Sequence, residues 1–195
     1  MKILIVGKPN VGKTMFVLQM AKLYKVENLI FTLIHHNGHK YKKKMDISEG
    51  FRTLVSEKAN HTLNIHEFIL PIKKGKGNVE ITLLDSCGLL PIIHHVDEVR
   101  EGMAQTLQHF KQATAVFHII DSSSYVTDNL IDQEIYEFGL QQDNYLILAN
   151  KIDLDSGQFS IPRVRNDYSQ AIVVPISAKT GEGLQEVTKY VARLV

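Results

Sequence analysis

The sequence predicts an α/β fold, a doubly wound and mostly parallel sheet with one antiparallel edge strand. Three observations predict it. Short β-branched apolar runs alternate with stretches whose apolar residues recur at helical spacing. A glycine-rich turn, Gly7-Lys8-Pro9-Asn10-Val11-Gly12-Lys13-Thr14, stands between the first apolar run and the first helical stretch. Each later polar motif follows an apolar run directly, which puts it at the carboxyl end of a strand, where open α/β sheets bind ligands.

The elements follow in order. Lys2-Ile3-Leu4-Ile5-Val6 reads as a buried strand, and Met15 to Tyr24 as the helix after it. Val26 to Ile34 predicts a second strand, and His35 to Lys44 a polar, basic loop. Asp46 stands where it would cap a short helix reaching about Lys58, with Ile47, Phe51, Leu54 and Val55 on one face. Thr62 to Pro71 and Val79 to Leu84 predict two strands joined by a hairpin loop over Ile72 to Asn78; this hairpin supplies the antiparallel edge. A helix over Asp97 to Ala113, a strand over Ala115 to Ile120 and a helix over Asp128 to Gln142 come next. Strands over Tyr145 to Ala149 and Ala171 to Ile176, and a helix over Glu182 to Leu194, complete the pattern.

At 195 residues, 44% of them hydrophobic, the chain has the size and apolar content of one globular domain and is no disordered polyelectrolyte. A formal net charge of +1 excludes recruitment by bulk charge alone. Cys87 is the single cysteine, which excludes an intrachain disulfide and fits a reducing compartment. The five-residue run after Met1 is too short for a secretory leader or a membrane span, so a soluble, cytoplasmic protein is expected.

The glycine-rich turn fits G-x-x-x-x-G-K-[ST], the phosphate loop of P-loop NTPases, with the strand and helix that the motif requires on either side. Backbone N–H groups from Asn10 through Val11, Gly12, Lys13, Thr14 and Met15 would face an anion at the positive end of a helix. Lys13 would reach the β and γ phosphates, and the Thr14 hydroxyl would bind Mg²⁺. Asp85, after the second hairpin strand, would support that Mg²⁺. Gly88 would let backbone approach a terminal phosphate without a Cβ in the way.

Asn150-Lys151-Ile152-Asp153 points to the base. Guanine carries two N–H donors on one edge, and the Asp153 carboxylate accepts both in a charge-assisted pair. Adenine lacks that pair, so a site built on Asp153 rejects it. Asn150 would bridge strand ends to the base, and the Lys151 stem would lie over the ring. In Ser177-Ala178-Lys179 the Ala178 N–H would meet the guanine carbonyl.

These four motifs, in this order and spread over almost the whole chain, resemble a translation-factor-class small GTPase of the Era, Obg, HflX and TrmE-like kind. The Pro9-Asn10 variant of the loop carries much of that likeness, and Thr106 to Asp121 is also similar to the Obg and HflX group. The resemblance implies a single G domain over residues 1–195, binding GTP and GDP with Mg²⁺, with an elongated switch I region at about 26–61. It also implies a switch threonine ahead of the hairpin. Thr62 is the expected residue, a third Mg²⁺ ligand and, with Lys13 and Gly88, part of the catalytic set. Leu89 follows Gly88 where Ras-like enzymes carry glutamine, and a leucine cannot orient water by hydrogen bonding. The resemblance implies that Asn10 helps bind K⁺ beside the phosphates, so slow basal hydrolysis that K⁺ or a docked partner raises is expected.

Partners are read more coarsely. Lys40-Tyr41-Lys42-Lys43-Lys44, with Lys73, Lys74 and Lys76, would contact RNA phosphates, and the resemblance implies ribosomal RNA or a ribosomal subunit. The same run also reads as a solvated loop. His35-His36 and His94-His95 do not make a metal site, because adjacent side chains diverge and no acidic or cysteine cluster completes one. Two functions fit: a GTP hydrolase acting as a switch in ribosome assembly or translation, and a GTP-gated module with negligible hydrolysis that recruits a protein effector. A monomer and a nucleotide-dependent dimer both fit.

Overall fold

The strands come in the order β1 (Lys2–Val6), β2 (Asn28–Ile34), β3 (Lys40–Asp46), β4 (Ile65–Lys74), β5 (Gly77–Asp85), β6 (Ala115–Asp121), β7 (Tyr145–Asn150) and β8 (Ile172–Pro175). The helices are α1 (Lys13–Leu23), α2 (Ile47–Thr53), α3 (Asp97–Phe110), α4 (Leu130–Gly139), α5 (Ser160–Asp167) and α6 (Leu184–Leu194). This computed structural model describes every residue except 36–37, 56–63, 76, 90–96, 128 and 155–158, and gives the backbone alone at 97–100.

One eight-stranded sheet runs in the order β3-β2-β4-β5-β1-β6-β7-β8. From β5 to β8 every pairing is parallel. From β5 outward to β3 every pairing is antiparallel. The expected doubly wound, mostly parallel sheet with an antiparallel edge is therefore present, and its antiparallel margin is three strands deep. One transverse row of paired residues crosses all eight strands: Tyr41, Leu33, His66, Asp85, Ile5, Phe117, Leu146 and Ile172.

Alternation along β1 sends Ile3 and Ile5 into one apolar layer and Leu4 and Val6 into the other. The first layer holds Phe16, Leu18 and Met20 of α1 with Leu184, Val187 and Val191 of α6. The second holds Phe110 of α3, Ile131 and Ile135 of α4, and Ile161 and Val164 of α5. All four β1 side chains are fully buried, each contributing about 1.5–3 kcal/mol. The strand is pinned from both faces, so the loop leaving its end starts from a rigid point.

Several expected elements differ. The loop expected up to Lys44 is strand β3 from Lys40, held in register with β2 from Asn28↔Asp46 to Ile34↔Lys40. Its side chains are exposed almost throughout, so backbone hydrogen bonding rather than apolar alternation makes the strand. Asp46 does cap α2, its Oδ1 accepting from the Glu49 N–H at 2.8 Å, but that helix ends at Thr53 and not near Lys58. The hairpin strands extend into the expected loop, β4 to Lys74 and β5 from Gly77, so the turn is much tighter than Ile72 to Asn78. Helix α5 has no counterpart among the expected elements. It carries Pro162 in its first turn, where the missing N–H costs no helical bond.

Candidate functional site

The turn after β1 bends on two glycines. Gly7 has φ 140°, and a Cβ there would lie 2.3 Å from the Ile119 carbonyl oxygen. Gly12 has φ 100° and stands at the N-terminal cap of α1. Asn10, between them, is also left-handed at φ 60°. The first helical bond of α1 is Phe16 N–H to the Gly12 carbonyl, so the amides of Lys13, Thr14 and Met15 lie ahead of it at the positive helix end. Lys13 is buried, and its Nζ donates to the Gly7 carbonyl at 3.2 Å and the Lys8 carbonyl at 2.8 Å. Burial lowers its pKa to about 8, against the opposing pull of Asp85. A buried ammonium held by two neutral carbonyls is poised for a stronger anionic partner.

The Thr14 hydroxyl donates to Asp85 Oδ2 at 2.7 Å. Asp85 is fully buried, and its Oδ1 has no hydrogen-bond partner. A buried carboxylate oxygen left unpaired beside a hydroxyl is an oxygen donor set that fits Mg²⁺. His66, the neighbour of Asp85 across β4 and β5, brings its Nδ1 to 3.8 Å from the same Oδ2. Thr62, the expected third ligand, lies outside the described residues. Lys76, His36, His94 and His95 also lie outside them.

Gly88 is pressed against the phosphate loop: a Cβ there would come within 2.7 Å of Pro9 N and 2.8 Å of Pro9 Cα. The Leu89 N–H donates to the Gly7 carbonyl at 3.2 Å. The Leu89 side chain is buried and lines an apolar groove with Met103, Leu107, Phe110, Ile131 and Phe138. Burial pushes the Cys87 thiol up, so Cys87 stays a neutral packing group.

At the other end of the site Asn150 makes two buried bonds. Its Nδ2 donates to the Val11 carbonyl at 2.7 Å, and its Oδ1 accepts from the Ala178 N–H at 2.8 Å. It thus joins the phosphate loop to the turn after β8. The Ala178 N–H, expected to meet guanine, is here bonded to Asn150. Asp153 is exposed, with its Oδ1 accepting from the buried Ser177 hydroxyl at 2.7 Å. Ser177 Oγ in turn accepts from the Thr180 N–H, so the hydroxyl that holds the carboxylate is itself fixed. Lys179 is exposed.

Lys151, at φ 69°, pairs its Nζ with Asp121 Oδ2 at 2.7 Å. Burial alone would raise the Asp121 carboxyl, but hydrogen bonds from Lys151 and Ser123 outweigh it and hold it low. Asp121 holds the Lys151 stem in place and was not singled out from the sequence. The available signal was its place as the last residue of a buried strand, since β6 and β7 pair Asp121 with Asn150. A second unforeseen contact ties Lys8 of the phosphate loop to Asp132 of α4, 2.9 Å apart.

Comparison with known proteins agrees with this fold. The chain is 28% identical over 194 residues to the tRNA modification GTPase MnmE of Aquifex aeolicus, covering 100% of this chain and 34% of that protein. The chain thus spans about a third of the length of the MnmE proteins it matches. Its fold superposes on Era from Aquifex aeolicus bound to GDP and aluminium fluoride with a TM-score of 0.73 at 21% identity, covering 100% of this chain and 56% of that one. It also superposes on Era in complex with MgGDPNP and nucleotides 1506–1542 of 16S ribosomal RNA, with a TM-score of 0.69 at 22% identity, covering 99% of this chain and 56% of that one. The family model described as "50S ribosome-binding GTPase" matches residues 2–151, from β1 through the phosphate loop to Lys151, and the chain belongs to that GTPase family.

Proposed function

We propose that this chain is a Mg²⁺-dependent GTP hydrolase that acts as a nucleotide switch, converting GTP to GDP and phosphate. The observation that carries the reading is Asn150, whose one side chain holds both the phosphate loop and the Ala178 turn, so that base and phosphates are read by one connected frame. Asp153 would take the guanine N–H pair, the Lys151 stem would cover the ring, and Ser177 and Lys179 would border it. Val11, Gly12 and Met15 would present amides to the phosphates. Lys13 would exchange its two carbonyls for phosphate oxygens, and Gly88 would carry the second switch against them. Thr14 and Asp85 would hold Mg²⁺, with Thr62 as the third ligand implied by family likeness; when bound, the ion neutralises phosphate charge.

The buried Leu89 offers nothing to a water molecule, so basal hydrolysis is slow. Asn10 would contribute to a K⁺ site whose charge compensates, and equal hydrolysis in KCl and NaCl would remove that role. Residues 1–195 are read as one G domain, with the segment at about 26–61, including β2, β3 and α2, as an elongated switch I region. No helix among the described residues is long and apolar enough to cross a membrane, and a cytoplasmic site is proposed, as monomer or nucleotide-dependent dimer. The basic β3 strand, with Lys73 and Lys74, would meet RNA phosphates, ribosomal RNA being the class favoured by the Era complex. Lysines on an edge strand also prevent strand addition, which needs no partner.

Single-turnover phosphate release with Lys13→Ala as control tests the reading. Release well above the control, with GTP preferred over ATP, is expected. A rate equal to the control would leave a GTP-gated protein-binding module in its place.

A further inference from the structure

A buried polar chain lies beneath the phosphate loop, and GTP chemistry has no use for it. The Tyr145 hydroxyl and His118 Nδ1 are 2.8 Å apart, His118 Nε2 and Asp132 Oδ1 are 3.2 Å apart, and Asp132 Oδ2 meets Lys8 Nζ at 2.9 Å. His118 and Asp132 are 0% and 1% exposed. Val6, the last residue of β1, is in register with His118 on β6, so the chain starts under the root of the loop. Asp132 sits in the first turn of α4, where Asn129 Oδ1 accepts from its N–H at 3.3 Å and the helix end favours a carboxylate.

The protonation pattern follows from the environment. Burial, reinforced by Lys8 and Lys13, keeps His118 neutral against the pull of Asp132. Burial would raise Asp132, but its hydrogen bonds and ion pair outweigh that and hold it ionised. The consistent arrangement has Tyr145 donating to Nδ1, and His118 donating from Nε2 to the carboxylate. One carboxylate oxygen is then hydrogen-bonded by His118, and the other faces the Lys8 ammonium at ion-pair distance without hydrogen-bond geometry.

We propose that Asp132, backed by His118 and Tyr145, is a positioning residue that holds the phosphate loop through Lys8 in the form that receives nucleotide. The pair has a buried carboxylate and a Lys8 side chain 31% exposed; such a pair adds little net stability compared with apolar packing, but it fixes the direction of its partners. The partner here is a loop residue whose own carbonyl supports Lys13 at 2.8 Å. The pair therefore sets the backbone on which the phosphate-binding lysine rests. It also commits the Lys8 ammonium to Asp132, leaving Lys13 as the loop's lysine for phosphate. Tolerance for misplacement is small, because Gly88 already leaves no room for a Cβ beside Pro9.

The inference rests on reading Gly7 to Thr14 as a nucleotide site. Its test is a double-mutant cycle on Lys8→Met and Asp132→Asn in the full chain, reading affinity for fluorescent GDP and GTP analogues. Each single variant is expected to weaken affinity about tenfold, the double variant to be no weaker than either single, and Lys8→Arg to restore binding. Tyr145→Phe, which leaves the carboxylate in place, gives a smaller loss of affinity in the same direction. Additive losses, or unchanged affinity in folded variants, would overturn the proposal. If Lys13→Ala and Asp153→Asn abolish binding while the Lys8 and Asp132 variants do not, the strut alone fails. If Lys13→Ala binds as well as the parent, the nucleotide reading fails first.

Discussion

Asn150 donates to the carbonyl of Val11 at 2.7 Å, spanning 139 residues of chain to join the end of β7 to the phosphate loop. The bond makes the loop after β1 and the turn after β8, proposed to bind the phosphates and the guanine, one mechanical unit. Asn150→Ala leaves the Val11 carbonyl and the Ala178 N–H buried without their partner. Two lost buried bonds correspond to about a hundredfold in nucleotide affinity. Calorimetric titration checks this, and comparable losses for GDP and for guanosine alone are expected, because the base and phosphate ends loosen together.

Asp153 tests recognition of the base. Asp153→Asn turns a double acceptor into a mixed donor and acceptor, so GTP affinity should fall by about a thousandfold. Xanthosine triphosphate, with a carbonyl in place of the amino group, should bind the variant better than GTP does. Competition between the two nucleotides checks it, and unchanged GTP affinity would remove Asp153 from the site.

Gly88 tests contact between the second switch and the loop. In Gly88→Ala the new Cβ meets Pro9 backbone at 2.7 to 2.8 Å, where no flexible side chain can yield. Hydrolysis at saturating GTP should fall at least about tenfold, and GDP affinity much less. Equal losses would mean that the loop as a whole is displaced.

His118 gives a pH signature. Its folded pKa is lowered, so the unfolded chain takes up a proton that the native protein refuses. Stability from this group is complete above its unfolded pKa near 6.5 and is lost as pH falls below it, at up to about 1.4 kcal/mol per pH unit. The groups acting on the ring are Asp132 from α4, Lys8 from the loop, Lys13 from the start of α1, Tyr145 from β7 and Tyr168 beyond α5. Asp132, also lowered, acts in a separate and more acid window. Urea unfolding between about pH 5 and 7 should show a steeper loss of stability with falling pH in the parent than in His118→Gln. His109, also lowered, is common to both proteins and cancels in the difference.

The phosphate loop and the guanine motif were legible because their chemistry constrains short stretches of sequence. Gly7, Gly12, Lys13 and Thr14 must stand at fixed offsets, and so must Asn150 and Asp153. Strand β3 was not legible, since four lysines in five residues carry no apolar alternation and only pairing with β2 makes them a strand. Helix α5 was hidden by Pro162 and by a largely polar sequence. Asn150 was expected to serve the base, but its partners here are the loop and the Ala178 turn, which local pattern cannot show. The Lys8–Asp132 contact joins residues more than a hundred positions apart, and His118 meets Asp132 from a different element 14 positions away, so no local pattern announces either contact.

The transverse row from Tyr41 through Leu33 and His66 to Asp85 limits how an anion on β3 can affect hydrolysis. Three strand spacings put β3 roughly 14 Å from Asp85. Salt at cellular strength screens exposed charge within about 8 Å. A phosphate on the lysine edge is therefore largely screened on its exposed side and acts only weakly, across three strands, on the buried carboxylate that would hold Mg²⁺. Any influence of docking on that carboxylate would have to run as displacement through the backbone bonds of β2 and β4. Added salt would weaken such docking and leave untouched the response of a protein already docked.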